Sequence, residues 1–284
     1  MKRLLSSLLL VFFVGACETQ TFSALDERSP EWRLVFQDNF SGIGRPNPDK
    51  WISKEYNRRP NDNGPDGWWD TSNVYLNGLG QLVIKTSVIE NRNPDEDSDP
   101  YDYASAMVST EGKFEQAFGR YEVRAKLPKA PGWWSAFWLF SNRVHHVDGS
   151  GRDGTEVDIM ETFGWTDKVS HALHWDGYKE EHQWSVFATM RPGVRHGWHT
   201  FTLEWFPDKY IFYVDGQETW RTSAGGVSQK PLWVKLSGEV STRESVANQW
   251  WANPPDPKKY PDRFVIDWVR VYEHIPGDGG PTAE

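Results

Sequence analysis

Three acidic side chains in one short segment have the types and spacing to act together in a reaction. Residues 155–164 read TEVDIMETFG and include Glu156, Asp158 and Glu161. The β-branched and apolar residues between them favour a β-strand. On a regular strand, Glu156 and Asp158 point to the same face because side chains alternate. Carboxylates grouped on one face repel each other, and proteins accept this cost where acid–base chemistry needs it.

The position of Glu161 predicts an irregularity in this strand. Strict alternation would turn Glu161 into the core, where an unpaired carboxylate is costly. A one-residue bulge near Ile159 and Met160 would return Glu161 to the face of the other two acids, and bulges are common beside active sites. We therefore predict a bulged strand that presents all three carboxylates together.

Glycoside hydrolysis is the reaction that fits these carboxylates best. A retaining mechanism uses two carboxyl groups about 5–5.5 Å apart, one as nucleophile and one as general acid and base. A third acid between them could hydrogen-bond the nucleophile and tune its ionisation. Two other interpretations stay open on these residues alone. They are a calcium site, although calcium usually recruits flexible loop oxygens, and an exposed acidic sheet face.

The tryptophan content points to ligand binding as well as to a core. The chain has 17 Trp, and the adjacent pairs are Trp68-Trp69, Trp133-Trp134 and Trp250-Trp251. Neighbours on a strand point to opposite faces, so we expect only one ring of each pair in the core. The other ring could stack on the apolar face of a sugar, since aromatic faces are good binding anchors.

Composition limits the classes of protein to which the chain can belong. It has 284 residues, of which 38% are hydrophobic and 25% charged, which is typical of a globular protein. All-β domains often reach this length as a single unit. The net charge of −9 argues against a nucleic-acid partner and weakly against a heavily sulfated polymer. We expect a monomer.

The amino terminus has the pattern of an export signal. Basic residues precede an apolar run at 4–14, which is too short to span a bilayer and is typical of a secretory signal segment. The only cysteine, Cys17, follows Gly15 and Ala16, as in a bacterial lipoprotein cleavage box. An ordinary signal peptide with a chance cysteine is the alternative. We expect a lipoprotein signal at 1–17 and a tether at 18–30, so that the protein is exported and its lipid is the only membrane anchor, on a bacterial membrane or cell surface.

The rest of the chain has an all-β pattern. Residues 121–127 and 201–205 alternate between apolar and polar side chains, as half-buried strands do. Asp215-Gly216 follows a strand-like run and favours a type I′ hairpin turn. Many short strands without helical periodicity indicate a sandwich or a barrel. We expect one catalytic domain at 31–274 and a flexible tail at 275–284.

The chain resembles glycoside hydrolase family 16 along nearly all of its mature length. The signature Glu-x-Asp-x-x-Glu, carried on a bulged strand, matches residues 156–161. The family's first strand, the segment before its cleft, its Trp-bearing substrate strand and its closing strand are similar, in that order, to residues 32–40, 118–128, 132–139 and 264–272. The resemblance implies a two-sheet jelly-roll sandwich of the concanavalin A type with a concave substrate cleft.

Carried over by position, the resemblance gives individual residues a role. Glu156 would be the nucleophile, Glu161 the general acid and base, and Asp158 the assisting residue between them. The residues implied to contact the polysaccharide are Trp134, Trp138, His174, Trp175 and Asn73. Family members need no cofactor for catalysis but often hold a structural calcium, for which Asp267 would be a ligand.

The departures from the family pattern concern the substrate. Residues 64–73 lack the Asn-Asn-Glu-x-Gln-x-Tyr-like run of β-1,3-glucan hydrolases, and the loop at 175–182 has no match. We expect an endo-acting retaining hydrolase of a β-linked polysaccharide, with a laminarin-like β-1,3-glucan as the first choice. Alternatives are a hydrolase of a marine galactan (agar, porphyran or carrageenan) and a non-catalytic glycan-binding protein, which the intact acidic triplet disfavours. Bases that could assemble a sulfate pocket are Arg58, Arg59, Arg143 and Arg152.

Overall fold

The structure, a computed structural model, describes residues 32–57, 68–90, 101–164, 166–240 and 255–275. Within these ranges the regular structure is β-strand with short 3-10 turns at Thr71–Asn73, Asn142–His145 and Pro257–Lys259. None of the described helical turns is long and apolar enough to cross a membrane. The strands are β1 (Trp32–Asp38), β2 (Ile43–Gly44), β3 (Tyr56–Asn57), β4 (Trp68–Trp69), β5 (Val74–Asn77), β6 (Leu82–Glu90), β7 (Tyr101–Ser105), β8 (Met107–Ser109), β9 (Gly119–Lys126), β10 (Trp133–Phe140), β11 (Glu156–Phe163), β12 (Lys168–Trp175), β13 (Gln183–Met190), β14 (His199–Trp205), β15 (Tyr210–Val214), β16 (Gln217–Thr222), β17 (Trp233–Val240) and β18 (Asp262–His274).

Two sheets pack face to face. The larger has 12 strands in the order β16-β15-β14-β9-β18-β6-β7-β4-β3, with β1 paired to β18 and β2 and β5 attached beside β6. The smaller has six strands in the order β13-β12-β11-β10-β17-β8. The pairs are antiparallel except for β4 with β7. The predicted all-β, two-sheet sandwich is confirmed.

The core lies between the sheets because each strand turns one apolar face inward. On β14, Phe201, Leu203 and Trp205 are fully buried, whereas Glu204 is only partly buried and pairs with Arg120. Strands of the smaller sheet meet this face with apolar residues of their own, among them Phe137, Leu139, Val157 and Leu236. The other face of the smaller sheet points away from the core and is available for a binding or catalytic site.

The predicted turn between β15 and β16 is also present. Asp215 has φ 51° and Gly216 has φ 74°, the left-handed conformation that a type I′ turn requires at both central residues. The Asp215 carboxylate accepts hydrogen bonds from the Thr200 backbone N–H and from the His199 ring. This turn ties β15 back to the start of β14.

The tryptophan pairs behave as strand alternation predicts. Trp69 and Trp133 are fully buried, while their neighbours Trp68 and Trp134 are only half-buried. Trp250 and Trp251 lie outside the described residues, as do the signal segment with Cys17, the tether at 18–30 and residues 276–284 of the tail.

Candidate active site

The acidic strand, β11, carries the predicted bulge. Against β10, Met160 pairs with Phe137 and Asp158 pairs with Trp138, so that Ile159 is left without a partner. Ile159 and Met160 are both fully buried, which means that two consecutive side chains point into the core. The extra inward residue turns Glu161 back to the face of Asp158.

This face of β11 forms the floor of a cleft with a volume of about 910 Å³. All three predicted acids, Glu156, Asp158 and Glu161, line it. Aromatic and histidine side chains form much of the remaining wall, among them Tyr56, Trp134, Trp138, Phe140, His145, His174, Tyr178, His182 and Trp233. Such a mixture of rings and convergent carboxylates is typical of a binding site for a small number of sugar units.

Glu156 is held from the loop between β12 and β13. The hydroxyl of Tyr178 donates a hydrogen bond to Glu156 Oε2 at 2.6 Å. The carboxylates of Glu156 and Asp158 and a ring nitrogen of His174 each place one atom within 4.8 Å of the others. Two carboxylates this close repel each other when both are ionised.

Glu161 is held from the neighbouring strand. It lies opposite Ala136 on β10, and the Trp134 indole N–H donates to Glu161 Oε1 at 2.8 Å. The ring of Trp134 also packs against Phe163 with centroids 5.0 Å apart. Trp134 therefore borders the cleft and fixes the orientation of one of its acids.

His174 is a neutral imidazole in this site. Burial, together with the nearby His182, lowers the pKa of His174 to about 4. Nδ1 of His174 lies 2.9 Å from Nε2 of His182, one donating and the other accepting, and Nε2 of His174 lies 3.4 Å from Asp158 Oδ2. A neutral ring at this position can donate a hydrogen bond from Nε2 to the Asp158 carboxylate without adding a charge to the site.

The wall opposite His174 contains a buried cation. Nζ of Lys235 lies 3.9 Å from the centroid of Trp138, within cation–π range, and the Trp138 indole N–H donates to Ser237 Oγ at 3.1 Å. Lys235, Ser237 and Glu239 all line the cleft. Sequence reasoning missed these residues, although their alternation with Val234 and Leu236 on β17 could have shown which face they occupy. It also missed Tyr178 and His182.

The structure corrects the prediction that Trp175 contacts the substrate. Trp175 follows His174 on β12, so its side chain points to the opposite face of the sheet. It is 8% exposed and belongs to the hydrophobic core. Its indole lies so close to Gly225 that a Cβ at that position would be 2.7 Å from the ring. Trp175 is a packing residue.

The prediction that Asn73 contacts the substrate is also wrong. Asn73 is buried and donates from Nδ2 to the carbonyl oxygen of Ala104 at 3.0 Å, so it holds the backbone and does not line the cleft. Asp267 forms an ion pair with Arg124, and its assignment as a ligand of a structural calcium stays a prediction. Among the described residues, two groups bring three possible side-chain metal ligands together, Glu156/Asp158/His174 and His146/Asp148/Asp153.

Comparisons with known proteins agree with this geometry. The family model described as glycosyl hydrolases family 16 matches residues 65–270. A β-glucanase from Rhodothermus marinus is 27% identical over 274 residues, with 88% of each chain covered. The laminarinase catalytic domain from Thermotoga maritima is 29% identical with a TM-score of 0.67, covering 87% of this chain and 100% of that one. An endo-β-1,3-glucanase from Pyrococcus furiosus is 27% identical with a TM-score of 0.67, covering 87% and 96%.

Proposed function

The chain belongs to glycosyl hydrolases family 16 and is an endo-glycosidase, and we propose that it cleaves internal bonds of a neutral β-1,3-linked glucan with retention of the anomeric configuration. The observation that carries this proposal is the bulged strand β11, which presents Glu156, Asp158 and Glu161 to one ring-lined cleft. A purely glycan-binding protein has no need for carboxylates that repel each other on its binding face.

The proposed reaction has two displacements. A carboxylate oxygen of Glu156 attacks the anomeric carbon while the protonated carboxyl of Glu161 gives its proton to the departing glycosidic oxygen. Glu161, now ionised, takes a proton from a water molecule, and that water displaces Glu156 from the glycosyl-enzyme. Each displacement inverts the anomeric carbon, so the overall configuration is retained.

Neighbouring side chains support this division of roles. Asp158 lies beside Glu156 and can share a proton with it as charge leaves the nucleophile. Tyr178 and Trp134 each donate a hydrogen bond to one glutamate, which holds the two carboxyl groups in fixed orientations before substrate arrives. Such preorganisation removes part of the cost of reaching the transition state.

The charge of the cleft favours a neutral polymer. Among the described lining residues, the carboxylates are Glu111, Glu156, Asp158, Glu161 and Glu239, whereas the lysines are Lys54 and Lys235. Lys54 is already paired with Glu111. Of the arginines considered for a sulfate pocket, Arg143 and Arg152 do not line the cleft, and Arg58 and Arg59 lie outside the described residues. A densely sulfated chain would therefore meet net negative charge.

The names of similar proteins point to the same substrate. The Pyrococcus furiosus structure is an endo-β-1,3-glucanase and the Thermotoga maritima structure is a laminarinase catalytic domain, both above 25% identity. For this chain we propose in addition that it acts outside the cytoplasm, tethered by a lipid on Cys17, because the first 17 residues have the pattern of a lipoprotein signal.

A panel of pure polysaccharides tests the substrate. The purified protein is incubated with laminarin, mixed-linkage glucan, agarose, porphyran and κ-carrageenan, and new reducing ends are measured. We expect laminarin to be cleaved fastest, with products of intermediate length appearing first, and the Glu156→Gln variant to be inactive on all five. Activity confined to the galactans would refute the glucan proposal and leave the retaining mechanism to be tested separately.

A further inference from the structure

The edge strand next to the cleft presents large apolar side chains to solvent. Strand β13 is the last strand of the smaller sheet and pairs only with β12 among the described strands. On it, Trp184 is 61% exposed, and Val186 and Met190 are also exposed. Edge strands usually carry charges or prolines that discourage association, so an apolar edge of this kind indicates a binding function.

The register places Trp184 in line with the nucleophile. Glu156 pairs with His174, and His174 pairs with Trp184. Directly opposed residues on neighbouring strands share a face, so the side chain of Trp184 lies on the cleft side of the sheet. Two strand spacings separate Trp184 from Glu156, a distance of about 10 Å at the backbone.

A row of ring contacts connects the two positions. The ring of His182 stacks on that of His174 with centroids 5.1 Å apart, and the ring of Trp184 follows at 5.3 Å from His182. In the next row, Asp158 pairs with Ala172, and Ala172 with Val186. The pairing therefore also places Val186 on the cleft side of β13.

We propose that Trp184 is a sugar-binding platform that holds a unit of the same polysaccharide chain beyond those at the cleaved bond. This inference rests on the proposed function, since it takes the occupant of the cleft to be a polysaccharide. Trp184 lies two strands from Glu156, a distance greater than the length of one sugar ring. The sugar unit on Trp184 is therefore connected to the reacting unit through an intervening sugar unit. The flat, exposed indole suits the apolar face of a pyranose.

Chain-length dependence tests the platform. Trp184→Ala should lower kcat/KM on long laminarin about tenfold, the scale of one lost aromatic stacking contact. It should leave kcat/KM unchanged on the shortest oligosaccharide that the enzyme cleaves, because that ligand does not reach β13. Trp184→Phe, which keeps a ring, should recover most of the loss. Phe187→Ala is the matched control, since Phe187 is on the same strand but pairs with the buried His171 and stacks on Trp220.

Several outcomes would overturn the inference. Equal losses on short and long substrates would mean that Trp184 acts on the catalytic groups, and no loss on either would mean that it binds no sugar. A wild-type dimer that Trp184→Ala converts to a monomer, measured by light scattering, would assign the surface to a second copy of the chain. If the wild type cleaves no glucan, the proposed function fails, and affinity electrophoresis of both proteins in gels containing each polysaccharide still decides whether Trp184 binds one.

Discussion

Two adjacent tryptophans on β10 should respond to the same substitution in different ways. Trp133 is fully buried and stacks on Tyr260 with centroids 6.2 Å apart. Trp134 borders the cleft and donates its indole N–H to Glu161 at 2.8 Å. Because alternation sends the two rings to opposite faces of the sheet, one substitution should affect mainly stability and the other mainly catalysis.

The magnitudes follow from these contacts. Trp133→Ala should lower the free energy of unfolding by about 3–5 kcal/mol, the usual cost of removing a buried Trp. At roughly 2–4 °C per kcal/mol for a domain of this size, the melting temperature should fall by about 6–20 °C. Trp134→Ala removes a hydrogen bond to an acidic group that is largely buried, which costs about 1.5–3 kcal/mol. This corresponds to a loss of roughly 10- to 150-fold in kcat/KM.

Thermal unfolding by circular dichroism and kcat/KM on laminarin, measured well below both melting temperatures, separate the two effects. Trp134→Phe keeps a ring but loses the donor, so it should show the loss from the missing hydrogen bond without the loss from missing stacking. The reasoning is refuted if Trp134→Ala lowers the melting temperature as much as Trp133→Ala does while kcat/KM is unchanged.

Three further predictions concern other parts of the chain. Tyr178→Phe should lower kcat/KM on laminarin about tenfold through loss of a hydrogen bond to a charged group. Tyr213→Phe removes the same kind of bond in the other sheet and should leave kcat/KM unchanged, so equal effects of the two substitutions would contradict the role of Tyr178. Burial lowers the pKa of both His171 and His174 to about 4, so between about pH 6.5 and 4 the unfolded chain binds more protons than the folded one. The free energy of unfolding should therefore decrease as the pH falls, by about 1.4 kcal/mol per pH unit for each ring. Urea unfolding at several pH values checks this, and an NMR titration with either ring ionising near pH 6.5 would refute it. Cys17→Ser should move the protein from the membrane fraction to the soluble fraction, and unchanged fractionation would contradict the lipid anchor.

The bulge in β11 was predictable because a regular strand would place both Glu161 and Met160 in unfavourable surroundings, and a single bulge corrects both. Regular alternation would bury Glu161 and expose Met160, which is unfavourable at both positions. One extra inward residue removes both problems, and the structure buries Ile159 and Met160 side by side. The same alternation rule predicted that one ring in each of the pairs Trp68-Trp69 and Trp133-Trp134 would be buried, but it does not say which one.

Strand phase explains why Trp175 was assigned wrongly. His174 and Trp175 are neighbours on β12, so they cannot both face the cleft, and applying alternation to them would have excluded one. Asn73 was assigned wrongly for another reason. Its side chain meets a partner that is distant in sequence, the Ala104 carbonyl, and no local sequence pattern predicts such a contact.

The loop residues of the site were out of reach for a different physical reason. Tyr178 and His182 lie between β12 and β13, where neither a two-residue nor a helical period fixes the direction of a side chain. Lys235 was also missed, because a lysine on a strand usually lies at the surface. It lies against the ring of Trp138, which comes from a different part of the chain.

The anomeric form of the first product is the most direct test of the catalytic arrangement. Proton NMR during the first minutes of laminarin hydrolysis, before mutarotation equilibrates the new reducing ends, shows which anomer the enzyme releases. With Glu156 as nucleophile and Glu161 as acid and base, two displacements occur and the β anomer should accumulate first. Initial accumulation of the α anomer would show a single displacement by water and would contradict the roles assigned to both glutamates.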